Sequence, residues 1–155
     1  MGYLEHNKQE HDKAKDLVKE IESSKNKKKK RKLFEDLYIM IYSHHKAEEE
    51  VIFPVVMERL TKEKDKDVVR ERIEEHRLAS YQFSTVNQTL LDNDTWNAKF
   101  TTLMEVVEHH MDEEEKSFTD LGKKVLDKEE DKTLLEEFES AMNKYKKEMK
   151  EKLKS

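Results

Sequence analysis

The sequence lacks cysteine and is poor in glycine and proline. Its 155 residues include no Cys, two Gly and one Pro. Without cysteine the chain cannot form disulfides, thiolate nucleophiles, zinc fingers or thiolate-held iron–sulfur clusters. With so few glycines it has little material for tight β-turns, phosphate-binding loops or a nucleophile elbow, which argues against nucleotide-binding and hydrolase folds. Any bound metal must therefore have nitrogen and oxygen ligands.

Long apolar runs are also absent. No stretch approaches the ~20 apolar residues that a membrane span requires, and the polar residues 1–6 contain no apolar core of a signal peptide. We therefore expect a soluble, cytoplasmic protein that does not associate with membranes. Charged residues make up 43% of the chain and apolar residues 34%, with a net charge of −5. This composition fits either a disordered polyelectrolyte or a helical bundle with a charged exterior.

Hydrophobic periodicity favours the bundle, because apolar residues recur at helical spacing in five segments separated by short polar breaks. The segments span about residues 3–21, 33–60, 68–91, 96–125 and 129–153. Short links between long amphipathic helices imply antiparallel neighbours. We predict an all-α fold: an up-down-up-down four-helix bundle over residues 1–126, followed by an additional C-terminal amphipathic helix over 127–155. We expect that last helix to pack on the bundle or to extend it.

A basic run and a charged stretch separate some of these segments. The run Lys25–Lys32 has seven cations in eight residues. We interpret it as a solvated, flexible loop that leads into the second helix. No aromatic platform or recognised motif accompanies it, and the overall charge is negative, so we expect no nucleic-acid binding. The stretch Thr61–Asp67 is expected to break the chain before the third helix.

One polar motif, HHxxEEExxF, occurs twice, at residues 44–53 and 109–118. At about 100° per residue, one His and one Glu of each copy fall within the apolar stripe of their helix. The first and third helices each place one further His on their inner faces. All four imidazoles are about 12 to 15 residues from the breaks at one end of the bundle. At ~1.5 Å per residue they share one layer roughly 20 Å from that end.

A buried layer of imidazoles and carboxylates requires a cation, because each unpaired buried carboxylate costs several kcal/mol. A His followed four residues later by a Glu aims both side chains at one point. The predicted metal ligands, an N/O set suited to iron, manganese or zinc, are His11, His44, Glu48, His76, His110 and Glu114. Two carboxylates shared between helices could each bridge a pair of metals. We expect the other three histidines, His6, His45 and His109, to face solvent or to contact the ligands from outside. Two further carboxylates, Glu49 and Glu115, are expected to be reserve ligands.

These residues resemble the hemerythrin-like, or HHE cation-binding, domain family over about residues 11–118. The resemblance rests on His11, on the H-x-x-x-E, apolar run and proline at residues 44–54, on Glu75-His76, and on the HMxxEE stretch at residues 110–115. It implies a four-helix bundle that holds two non-haem iron ions bridged by two carboxylates and an oxo or hydroxo group. Carried over, Glu48 and Glu114 would be the bridges and the four histidines the terminal ligands.

One position departs from the family pattern. Oxygen-carrying hemerythrins have an HxxxH pair in the third helix, whereas Arg72 stands four residues before His76. One terminal imidazole is therefore missing. Either a metal has an open site, filled by water or by a carboxylate such as Glu75, or the second metal is held weakly. We expect Arg72 to pair with a bridging carboxylate or a bound anion, or to extend to solvent.

Three functional hypotheses remain open at this point. The resemblance implies a protein that binds or senses O2, NO or peroxide at a di-iron site, with a small diatomic ligand as its partner. The alternative is a metal-dependent regulatory or interaction module that senses iron or oxygen without carrier or catalytic activity. The third is a purely structural bundle. We find no inward Ser, Thr or Tyr at helical spacing from the ligands, which argues against hydrolysis. We expect a ligand-binding or sensing protein rather than an enzyme, and a monomer or homodimer.

Overall fold

The computed structural model describes residues 1–154, and within this range all regular structure is helical. Two of the helices each contain one π-helical turn and continue beyond it. The elements are α1 (Tyr3–Ser23), α2 (Lys27–Ala47), the π turn π1 (Glu48–Ile52), α3 (Phe53–Arg59), α4 (Glu63–Asn87), α5 (Trp96–Glu113), the π turn π2 (Glu114–Phe118), α6 (Thr119–Val125) and α7 (Lys128–Lys154). Because α2 continues into α3 and α5 into α6, the described residues form five long helices. The predicted all-α bundle with an additional C-terminal helix is confirmed.

The basic run is helical from Lys27 onward, so our interpretation of it as a flexible loop is wrong. Asn26 caps the helix by accepting a hydrogen bond from Lys29 N at 3.0 Å, which satisfies one of the free N–H groups of the first turn. Arg31 donates to Glu35 one turn later, at 2.9 Å. The cap and this ion pair hold the first turns of α2 in helical form although their lysines remain solvated.

The predicted break at Thr61–Asp67 is also too long, because α4 begins at Glu63. Acidic residues in the first turn interact favourably with the positive end of the helix. Lys66 and Arg70 pair with Glu63 across successive turns, at 3.7 and 3.0 Å. These favourable charges start the helix five residues before the apolar periodicity that we used to place it.

Helix α2 lies between α1 and α7 on one side and α4 on the other, while α4 packs on α5. The apolar stripe of α7 is buried against the bundle through Leu134, Phe138, Met142 and Met149. This arrangement gives α2 buried residues on more than one face.

The core consists of two apolar clusters. One cluster surrounds Phe34, Phe83 and Trp96, near the end of the bundle where α1 joins α2. The other surrounds Phe53 and Phe118 and includes the inner face of α7. A buried large apolar side chain contributes about 1.5–3 kcal/mol, so these clusters supply the stability that can offset a polar layer between them. No helix within residues 1–154 has an apolar stretch long enough to cross a membrane.

Candidate metal centre

The six side chains predicted from the sequence come together between the two apolar clusters. Each is at most 4% exposed. Ligand atoms that lie within 4.8 Å of one another define two groups. Group A consists of His45, Glu48, His76 and His110. Group B consists of His11, His44 and Glu114.

Both carboxylates lie between the two groups. Glu114 Oε1 is 3.4 Å from His11 Nε2, and Glu114 Oε2 is 3.2 Å from His110 Nε2, so each oxygen faces a different group. Glu48 Oε1 is 3.6 Å from His44 Nε2 and 3.3 Å from His76 Nε2. Such placement is what a carboxylate needs in order to contact two metal ions at once.

Each of these carboxylates is the first residue of a π-helical turn. The backbone N–H of Phe53 donates to Glu48 O, and that of Thr119 donates to Glu114 O, across five residues instead of four. The extra residue changes the helical register, so the segments before and after the turn can both direct apolar side chains inward. Single π turns occur frequently at functional sites. We treated these helices as regular, although the repeated HHxxEEExxF motif marks both turns.

Carboxylates outside the groups orient two of the imidazoles. His76 Nδ1 is 2.9 Å from Glu49 Oε2, and His110 Nδ1 is 2.8 Å from Glu75 Oε1. A carboxylate only accepts hydrogen bonds, so each Nδ1 donates, and Nε2 is the ring nitrogen left for a metal. The two Nε2 atoms face each other at 3.0 Å. A carboxylate that accepts from the second ring nitrogen is the usual support for a metal-binding imidazole.

Arg72 belongs to the same support. It is 3% exposed, and its Nε donates to Glu75 Oε1 at 2.7 Å. It also contacts Glu71 at 3.4 Å. The expectations that Arg72 extends to solvent or pairs with a bridging carboxylate are therefore wrong. Its charge holds Glu75, which in turn holds His110.

Sequence reasoning missed two buried residues of α1 that contact the carboxylates. Tyr3 OH donates to Glu48 Oε2. Asn7 Nδ2 donates to Glu114 Oε1 at 2.8 Å, and its Oδ1 lies 2.8 Å from His44 Nε2. Our statement that no inward tyrosine lies at helical spacing from the ligands is wrong. The signal was present, because Tyr3, Asn7 and His11 follow one another at intervals of four residues.

The remaining histidines fall into two types. His6 and His109 lie outside the groups: the side chain of His109 is 67% exposed, and His6 Nε2 is 3.2 Å from Glu10 Oε1. His45 is 7% exposed and belongs to group A, so the expectation that it faces solvent is wrong, whereas the expectation that it contacts the ligands from outside stays a prediction. The error arose because we assigned α2 a single inner face, whereas this helix is buried against neighbours on both sides.

The residues fit a bound metal cation. Among residues 1–154, Glu48 Oε1 and Glu114 Oε2 are buried without a hydrogen-bond partner, although ring nitrogens approach them without the alignment of a hydrogen bond. A buried, unsatisfied carboxylate oxygen is costly. Both oxygens and the facing Nε2 atoms converge within the same layer, and their mixed nitrogen and oxygen character suits a divalent transition metal.

In the metal-free chain, protons on the imidazoles balance the negative charge of the buried carboxylates. Burial lowers the pKa of His110, but the adjacent carboxylates of Glu114 and Glu75 outweigh it and raise that pKa to about 10. Burial raises the pKa of Glu114, but the imidazoles of His11 and His110 outweigh it and hold that pKa well below its usual range. Burial, together with the charges of His76 and His110, holds the pKa of His45 well below its usual value.

These shifts predict how the free energy of unfolding of the metal-free protein depends on pH. The raised pKa of His110 stabilises the fold fully below about pH 6.5, and this contribution is lost as the pH rises toward 10. The pKa values of His45 and Glu114 are lower in the folded chain than in the unfolded chain. The stability that depends on them is therefore fully present above the unfolded pKa and is lost in acid. Urea denaturation should show maximal stability near about pH 6.5 and a decline of up to about 1.4 kcal/mol per pH unit above it. A flat profile between pH 7 and 9 would contradict this account.

Removing the carboxylate that orients His110 should weaken metal binding. We expect Glu75→Ala to reduce the affinity of group A for Co(II) by about 10–100-fold, the usual effect of losing such a partner of a ligand. Competition with a chelator measures this affinity. Glu74→Ala is the matched control, because Glu74 is its exposed neighbour and pairs with Arg77 on the surface. Equal affinities in the two variants would show that Glu75 does not position His110.

Comparisons with known proteins agree with this geometry. The family model described as the hemerythrin HHE cation-binding domain matches residues 4–122. No curated protein matches the chain. A solved structure of an HHE cation-binding domain-containing protein from Mycobacterium kansasii, a homolog of Rv2633c, has 22% sequence identity and a TM-score of 0.86. The match covers 100% of this chain and 93% of that one. This chain therefore belongs to the hemerythrin HHE cation-binding domain family.

Proposed function

We propose that this protein holds two non-haem iron ions, one in each group, and binds or senses O2, NO or peroxide there. One observation carries the proposal: Glu48 and Glu114 lie between the groups, and each has a buried oxygen without a hydrogen-bond partner among residues 1–154. A site for a single ion has no need of two carboxylates in this position. Manganese or zinc would also suit the nitrogen and oxygen donors.

Small ligands can reach the proposed site through one cleft. A cleft of about 240 Å³ lies between α2 and α4 and is lined by His45 and His76 at the site and by Tyr42, Ser80 and Arg77 among other residues. This volume accommodates a diatomic molecule or peroxide. Bound iron(II) would supply electrons and coordination positions to such a ligand. The apolar clusters above and below the layer limit the entry of water.

The residues of the chain act here by holding and orienting. Tyr3 and Asn7 donate to the two carboxylates, which fixes one oxygen of each and directs the other into the layer. Glu49 and Glu75 hold the Nδ1 protons of His76 and His110. We infer a ligand-binding role from this arrangement, because these contacts fix the orientation of the groups that could hold a metal.

Spectroscopic titration tests the proposal. Protein loaded with iron(II) without oxygen should show new absorption bands on addition of NO, O2 or peroxide, saturating at about one ligand per pair of irons. Zinc-loaded protein is the control, because zinc has no redox chemistry and should give no such bands. Unchanged spectra with all three ligands, in protein shown to contain two irons, would contradict the proposed function.

A second candidate, a metal-dependent regulatory module, is favoured by the position of one aromatic residue. Phe138 of α7 packs against Tyr3 and His44, with ring centroids 5.0 and 5.1 Å apart. Metal binding at His44 could therefore change how α7 packs on the bundle. Hydrogen exchange of α7 and the size of the protein, measured with and without metal, test this candidate. Identical exchange and size in the two forms would exclude it.

A further inference from the structure

His45 is a buried residue, 7% exposed, and it lines the cleft between α2 and α4. Its ring stacks on His76, with centroids 3.7 Å apart and an angle of 7° between the planes. It meets His110 edge-on at 5.0 Å. In contrast, His76 and His110 each donate a ring proton to a carboxylate. His45 is thus packed among imidazoles of the layer, and its position there requires an explanation.

The neighbours of His45 are the other side chains of group A, which could hold a metal. One ring nitrogen of His45 lies within 4.8 Å of ligand atoms of Glu48, His76 and His110. The third helix offers group A only His76, because Arg72, one turn earlier, is engaged by Glu75. Group A would otherwise have two imidazoles, from α4 and α5.

We propose that His45 is the third imidazole ligand of the metal in group A, supplied by α2. This inference rests on the proposed function insofar as that function requires bound metal. Consecutive residues of an α-helix point about 100° apart, so His44 faces Asn7 on α1 while His45 faces His76 on α4. One His-His pair thus contributes a ligand to each of two neighbouring metals. The chain would compensate for the histidine that Arg72 replaces with a residue from another helix.

Metal stoichiometry and affinity test the role of His45. Wild-type protein should bind two Co(II) ions per chain, whereas His45→Ala should bind one with unchanged affinity and the second at least about 100-fold more weakly, since loss of a mere supporting contact costs 10–100-fold. His109→Ala is the matched control, because His109 is the exposed member of the other His-His pair. Two ions bound with unchanged affinity in His45→Ala would overturn the inference.

A measurement on the wild-type protein tests the role of His45 even if the variant fails to fold. Protein labelled with ¹⁵N-histidine and loaded with Co(II) should show five imidazoles with paramagnetically shifted ring resonances, from His11, His44, His45, His76 and His110. Four shifted imidazoles in protein that contains two Co(II) ions would overturn this inference and leave the proposed function intact. Failure of the wild-type protein to bind any metal would instead contradict the proposed function.

Discussion

Glu114→Ala is expected to remove both metal ions from the protein. The two oxygens of Glu114 face different groups, at 3.4 Å from His11 and 3.2 Å from His110. Loss of an outer partner of a ligand costs 10–100-fold in affinity, and loss of a shared ligand should cost each metal at least about that much. Protein that is loaded with iron(II) and then desalted should therefore retain two irons in the wild type and almost none in the variant.

The control for this experiment is Glu108→Ala, which removes an exposed carboxylate from the same helix. It should retain both irons, since Glu108 lies outside both groups. Circular dichroism of the metal-free variants establishes that each is folded. A folded Glu114→Ala protein that still holds two irons would show that Glu114 is not shared between the metals.

Removal of the metal should lower the thermal unfolding midpoint by roughly 10 °C. A ligand that binds only the folded chain, at a free concentration 1,000 times its Kd, stabilises it by about 4 kcal/mol. For a domain of this size each kcal/mol corresponds to about 2–4 °C. The physical source of this effect is the replacement of protons by metal among buried carboxylates and imidazoles that occupy one layer.

Calorimetry with and without a chelator measures this shift at fixed protein concentration and pH. Glu114→Ala, which should bind no metal, should have the same midpoint under both conditions. Coincident unfolding curves of the wild-type protein would show that the layer is stable without metal, as expected for a purely structural bundle.

Hydrophobic periodicity was sufficient to predict the helices of the fold because apolar residues recur at helical spacing along each of them. It was less informative about where α2 and α4 begin. There, Asn26 and Glu63 start the helices through capping and charge, which an apolar pattern does not contain. The two π turns were invisible to a projection with a constant angle per residue.

The convergence of the six side chains predicted as ligands could be foreseen because their inward direction and their depth in the bundle are independent signals. The place of His45 in group A could not be foreseen, because α2 is buried on two sides and the sequence alone does not show which helices flank it. Arg72 was misplaced for a related reason. Its partner, Glu75, lies one turn away in the sequence, but the imidazole that Glu75 orients is on another helix.

The number of metal ions per folded chain tests the central claim of this account most directly. The protein is loaded anaerobically with excess iron(II), desalted, and analysed for iron and for protein by independent methods. We predict two irons per chain, held by the groups around Glu48 and Glu114. A folded protein that retains no iron, manganese or zinc under these conditions would contradict the account.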